Sequence, residues 1–308
     1  LGRWHKRRQR RRHVSRLGRR LARQYAALGI ARVYHEALKA LAYAAVALLD
    51  RLALDFVDSG WDIKALVRRI VLSRAYRQSS MASAEVVERD PLNELYARQS
   101  RQRLPAEMIR DAALLVSGLL VDRVGGASAK PAQPAGYYRH LNFPTRRYRP
   151  DQGQARWRRG VYMHWQRQFL HPMLRAFDAP TREECTAQRP ISNTPLAALT
   201  LLNDPVFVEA ARAFAQRALQ VEVAPDRDRI RWAMREATAR TPRPAEVDVL
   251  ARVLAAARRH FRDDPRAAAA LLAVGDAARD TSLAAPEHAA WTQVMRVILN
   301  LHEMICRD

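Results

Sequence analysis

Cysteine is nearly absent: Cys185 and Cys306 are the only two in 308 residues. That excludes a thiolate-clustered zinc site, a CxxC redox motif and a haem-attaching CxxCH within the chain. Two cysteines assign no redox compartment. Long apolar runs are missing too. The longest uncharged one, Ala40 to Leu49, falls well short of the about 20 residues that a bilayer-spanning helix needs. Lysine occurs only at Lys6, Lys39, Lys64 and Lys130, so arginine supplies nearly all the basic side chains behind the net charge of +22. A surface built for phosphate commonly mixes both cations. So lopsided a ratio, with abundant alanine, points to GC-rich codons rather than to a partner.

What is present is ordinary for a globular chain. Apolar residues make up 48% and charged residues 27%, enough for a real core. The charge is unevenly spread: residues 1–50 hold thirteen basic side chains against Glu36 and Asp50. Arg3 to Arg23 alone carries eleven and no acid. Such a tract offers an arm for nucleic acid or an anionic membrane surface. It has no aromatic stacking platform and no named binding motif, so a nucleic-acid partner is disfavoured. It also lacks the apolar stretch and small-residue cleavage site of a signal peptide.

Helical periodicity dominates the remainder, and the expected fold is mostly α: an irregular multi-helix domain with two long ordered loops. Apolar residues Leu54, Val57, Trp61, Leu66 and Ile70 recur at helical spacing. Asp58-Ser-Gly60 interrupts them and predicts two short helices joined by a turn. Pro105 to Leu120 reads as an amphipathic helix with a stripe of Met108, Ile109, Ala112, Leu115, Val116 and Leu119, ended by Gly125-Gly126. Residues 123–154 form the first long loop, rich in proline and glycine. Helix is expected again near Trp157–Phe169, and the second irregular stretch runs from His171 to Pro195. Asp204-Pro205 and Asp264-Pro265 each place a capping carboxylate before a first-turn proline. Glu246–Phe261 and Pro286–Ile305 complete the helices.

Polar chemistry concentrates between residues 177 and 205. Asp178, Arg182, Cys185, Arg189, Asn193, Asn203 and Asp204 are the ligand-binding candidates. Arginines near carboxylates can grip an anionic or sugar ligand through paired hydrogen bonds. The same residues serve equally as turn and cap groups that satisfy an irregular backbone, and that reading is preferred. Cys185 would need a base and an electropositive setting to act as a nucleophile, with Arg182, Arg189, His171 or His164 as the available groups. No Cys-His signature surrounds it, and the catalytic residues stay unknown. No metal site is expected: the histidines form no HExxH, and His302, Glu303 and Cys306 are too few ligands alone. Glu107, Arg110 and Asp111 sit at a helix start, where acids simply compensate the helix dipole.

Three blocks in order carry a resemblance. They are LLDRLALDFVDSGWDIKALVRRIVLSRAYRQSS, then ERDPLNELYARQSRQRLPAEMIRDAAL, then RRGVYMHWQRQFLHPMLRAFDAPTREECTAQRPISNTPLAALTLLNDPVFVEAARAFAQR. The chain resembles the planctomycete-type domain of unknown function 1553 from about Leu48 to the C-terminus, the Trp291–Asn300 stretch included. The resemblance implies the C-terminal module of a multidomain exported bacterial protein, periplasmic or on the cell surface. Upstream domains of the same polypeptide, or a cytochrome-c-like partner carrying haem c, would be its company. No cofactor is expected in this chain itself. A carbohydrate-binding or carbohydrate-active domain with its site in the 171–204 loop is the alternative, polysaccharide then being the partner. A basic nucleic-acid-binding protein acting through residues 3–23 is another.

Residues 1–47 depart from the resemblance. A stretch with tryptophan, glycine and a Pro-Ser-His-Pro-Glu-like run belongs before the first block, and here the sequence is Arg- and Ala-rich. The expected organisation is therefore an Arg/Ala-rich segment over 1–47, disordered or out of frame, and a helical domain over 48–308. With neither a haem motif nor an export signal, the chain reads as a fragment.

Overall fold

The computed structural model describes residues 46–140, 147–222 and 225–307. The Arg/Ala-rich segment lies outside these residues up to position 45, and with it the basic arm of 3–23. The chain divides into two compact units between Arg101 and Gln102, inside the expected helical domain. The fold is mostly α, with a single two-residue ladder as its sheet among the described residues.

The first unit begins with the predicted helix pair. Helix α1 covers 46–58, Ser59-Gly60 turns the chain, and α2 spans Ile63–Val71. Gly60 has φ 71°, the left-handed region that glycine enters without strain. Asp62 caps α2 by accepting from the Ala65 backbone N–H at 3.0 Å. Asp55 of α1 pairs with Arg69 of α2. After α3 (Ala84–Arg89) the chain is irregular. There the buried Asp90 accepts from the Glu94 and Leu95 N–H groups, both at 2.8 Å, and Arg98 donates to the Asp90 and Pro91 carbonyls.

The second unit holds the core. Strand β1 (Gln102–Arg103) pairs antiparallel with β2 (Cys306–Arg307), joining the two ends of the unit. Between them run α4 (Ala106–Ser117), α5 (Pro172–Ala176), α6 (Pro195–Asn203), α7 (Pro205–Gln220), α8 (Asp226–Thr238), α9 (Pro244–Asp263), α10 (Pro265–Leu272), α11 (Ala285–Leu299) and α12 (His302–Ile305). Helix α11 lies against α7, α9 and α10, and α4 lies against α7. Trp291, Phe207, Phe214, Leu254 and Met295 fill the centre. The Asp-Pro caps form as the sequence predicts: Asp204 accepts from the Val206 N–H and Asp264 from the Ala267 N–H, both at 3.0 Å.

Helix α4 corrects the sequence reading. Its buried residues are Ala106, Ile109, Arg110, Ala113, Leu114 and Ser117, a stripe rotated from the predicted one. Met108 and Leu115 are 53% and 64% exposed, whereas Arg110 is 0% exposed. Gly118, at φ 79°, ends the helix in the left-handed conformation, well before Gly125-Gly126.

The helix expected over Trp157–Phe169 is replaced by two short 3-10 turns, Gly153–Trp157 and Gly160–Tyr162. Its backbone is claimed by side chains of α4 instead of by itself. Gly160 sits where a Cβ would come within 2.7 Å of the Glu107 carbonyl oxygen. Gly160→Ala is expected to destabilise the protein by about 1–3 kcal/mol, since backbone must shift on one side or the other. A chemical denaturation midpoint measures this, and an unchanged midpoint would contradict the close approach. Pro286–Ile305 is also not continuous: α11 stops at Leu299, and α12 starts after Asn300-Leu301.

Candidate functional site

The candidate residues of the second irregular stretch are engaged by neighbours in the chain. Asp178, at φ 57°, accepts from the Ser192 N–H at 2.8 Å and from Ser192 Oγ at 2.9 Å, and pairs with Arg103. Arg103 also donates to the Ser192 and Phe177 carbonyls. Burial raises the Asp178 pKa, but the Ser192 N–H, Arg103 and the Ser192 hydroxyl outweigh it and hold the carboxyl below the ordinary carboxylate range. The two ends of the loop, fourteen residues apart, are closed on this one carboxylate.

Arg189 donates to both carboxylate oxygens of Glu107 at 2.7 and 3.1 Å, the two-pronged geometry expected of a ligand grip but spent on α4. The Arg182 guanidinium stacks on Trp165, 3.8 Å from the ring centroid. Asn193 is exposed. Asn203 turns its amide back to the Leu199 carbonyl of its own helix at 3.0 Å. Asp204 caps α7, and burial pushes its carboxyl up to about 6 despite the Val206 N–H and Arg110. Asp178 and Arg189 thus reach two neighbouring elements of one loop system, while Asn203 and Asp204 serve the junction of α6 and α7.

Cys185 is exposed and unbridged, so it does not pair with Cys306. His171, one base considered for it, is buried with both ring nitrogens in use. Nδ1 accepts from the Met173 N–H at 3.3 Å, and Nε2 donates to the Ala132 carbonyl at 2.9 Å. Burial pushes its pKa down to about 4, which keeps the ring neutral. Cys306 Sγ lies 3.1 Å from His302 Nε2. Among the described residues no group of three or more His, Cys, Asp or Glu is arranged to hold a metal ion.

The most heavily built polar cluster joins Arg110 and Asp111, read from the sequence as helix-start residues, to Arg156, Arg158 and Glu209, which the sequence did not single out. Arg110 donates to the Arg158 carbonyl at 2.6 Å and to the Arg156 carbonyl. Its neighbour Asp111 accepts from the Gly160 N–H at 2.6 Å. Burial lowers the Arg110 pKa to about 10, and Asp111, Asp204 and Glu209 oppose that shift by stabilising the cation. Glu209, 1% exposed, accepts from the Asp276 and Ala277 N–H groups at 2.5 and 2.7 Å and from Trp157 Nε1 at 3.2 Å. Arg156 bridges the same loops, reaching Asp276 at 2.6 Å.

Arg158 continues the pattern toward the first long loop. It donates to the Arg123, Gly125 and Ala127 carbonyls and stacks on Tyr162 at 4.2 Å. Lys130 is anchored through its N–H to Asp151 at 2.7 Å. The arrangement is a set of forked donors and paired acceptors that satisfies irregular backbone over a helical floor. One signal for it was legible: Ala106, Ile109, Ala113, Leu114 and Ser117 define a helical stripe of small and apolar residues, and Arg110 lies inside it.

No curated protein and no solved structure matches the chain significantly. A family match spans residues 43–254, more than half of the chain, and ends inside α9, so α10 and α11, which complete the core, lie beyond it. The chain belongs to the family described as "Protein of unknown function (DUF1553)".

Proposed function

We propose that this is a structural, partner-binding helical module of a multidomain exported bacterial protein, working beside a cytochrome-c-like domain that carries the haem. The setting rests on the planctomycete-type resemblance. The module's character rests on one observation: Asp178, Arg182, Arg189 and Asp204 each have their main polar or stacking partner within the chain. A ligand site holds such groups ready for an outside molecule, whereas here they shape the loop surfaces a partner would meet. The carbohydrate reading asks the same side chains to face outward, and so has less support.

Loop-pinning and ligand-binding predict different mutant behaviour. Asp178→Ala removes the acceptor of two Ser192 donors and of Arg103, and is expected to destabilise by about 2–3 kcal/mol. Arg189→Ala breaks a partly exposed pair and should cost less than about 1 kcal/mol. Thermal unfolding gives both values. Titration against a c-type cytochrome domain is expected to show binding that survives Arg189→Ala. An oligosaccharide that binds the native chain, and fails to bind an Arg189→Ala chain of unchanged melting temperature, would overturn the proposal.

A further inference from the structure

Among the described residues, helix α2 has an apolar face that is largely open, with Leu66 and Val71 half-buried. At 100° per residue, Ile63, Leu66, Val67, Ile70 and Val71 fall on one side, and Lys64, Arg68 and Arg69 on the other. No residue of the helix is buried; Ile63 is 68% and Val67 51% exposed. A shallow groove runs along it, lined by Ile63, Lys64, Val67, Arg68, Val71 and Leu72. Among the described residues, all six lining groups belong to α2 and its cap.

Charge identifies the surface. From Ile63 to Arg77 the chain carries Lys64, Arg68, Arg69, Arg74 and Arg77 and no acid. Of the acids just before it, Asp62 caps the helix, Asp55 is paired with Arg51 and Arg69, and Asp58 is exposed at the end of α1. Exposed aromatic rings lie on either side of it in sequence, Trp61 two residues before the helix and Tyr76 five residues after it. A helix of high amphipathicity, cationic on its polar side and flanked by aromatics, is built to lie in a lipid–water interface. None of the described helices is long and apolar enough to cross a membrane, so the geometry is one of lying on the surface.

We propose that α2 docks this module onto an anionic phospholipid bilayer, with Val67 toward the acyl chains and Ala65 toward water. The inference does not depend on the proposed function, and the basic arm of 3–23 is a separate source of vesicle binding. The test therefore reads position, not binding alone. Full-length chains carrying Cys185→Ser and Cys306→Ser, with either Val67→Cys or Ala65→Cys, are labelled with an environment-sensitive NBD fluorophore. They are then mixed with vesicles of phosphatidylglycerol and phosphatidylcholine. The label at position 67 should shift to the blue and brighten on anionic vesicles and not on pure phosphatidylcholine, while the label at 65 stays as in buffer. Lys64→Glu with Arg68→Glu should remove most of the shift at position 67, even where the basic arm still holds the chain on the vesicle. Three outcomes would overturn the proposal: no binding to anionic vesicles, binding with no difference between the two positions, or a concentration-dependent shift at 67 without vesicles, which would assign the face to a second copy of the chain.

Discussion

Replacing Arg110 with alanine is expected to destabilise the protein by about 3–5 kcal/mol. Two losses combine. The Arg156 and Arg158 carbonyls lose their donor inside a dry region, and Asp111, Asp204 and Glu209 lose the cation that stabilises their charge. Arg110→Lys should recover only part of the loss, because an ammonium lacks the planar fork that spans two carbonyls two residues apart. Arg110→Met fills the volume but leaves both carbonyls unpaired, so it belongs near alanine.

The Arg110→Ala effect also depends on pH, with a definite sign. Burial already raises the Asp204 carboxyl to about 6 and Arg110 pulls it back; without Arg110 it must rise further. A carboxyl whose folded pKa lies above its unfolded value binds more protons in the folded state, so stability falls as pH rises between the two. The variant should therefore lose more stability, relative to the native chain, at pH 8 than at pH 5. Urea denaturation at the two values checks this. Equal losses would mean that Arg110 acts through the carbonyls alone.

Glu209→Ala is the second large effect, about 3 kcal/mol or more. Three donors converge on this carboxylate, the Asp276 and Ala277 N–H groups and Trp157 Nε1. Truncation leaves all three without an acceptor. Glu209→Gln keeps one oxygen for the backbone pair and loses the tryptophan contact, so it should fall between. Gly275 provides an independent check. It has φ 86°, and a Cβ there would lie 2.3 Å from the Glu209 carboxyl carbon. Gly275→Ala should displace the same carboxylate, so the double variant Glu209→Ala/Gly275→Ala should lose clearly less than the two single losses added together. Strict additivity in denaturation experiments would show that the two positions act separately.

Elements whose signals are local were legible in the sequence. The turn at Ser59-Gly60, the Asp204 and Asp264 caps and the helices they open depend on residues within a few positions of each other. The stretch around Gly160 was not, because its conformation is decided by Asp111, 49 residues away. Periodicity sees apolar stripes and passes over a buried arginine, so the predicted stripe of α4 left Arg110 out. Glu209 was missed for a related reason: its partners at 276 and 277 lie beyond α8, α9 and α10 in the chain. The loop candidates Asp178 and Arg189 were found as polar groups, but whether they face a ligand or the chain is a matter of tertiary contact.

The irregular segments are held as firmly as the helices because side chains satisfy their backbone. Amide hydrogen exchange on the native chain tests it most directly, read at Lys130, Gly160, Ser192, Asp276 and Ala277, whose N–H groups donate to Asp151, Asp111, Asp178 and Glu209. Slow exchange is expected at all five, approaching that of the core amides of α7 and α11, with Ser192 becoming fast in Asp178→Ala while the helices stay protected. Exchange at these five positions as fast as in an unfolded chain would contradict it.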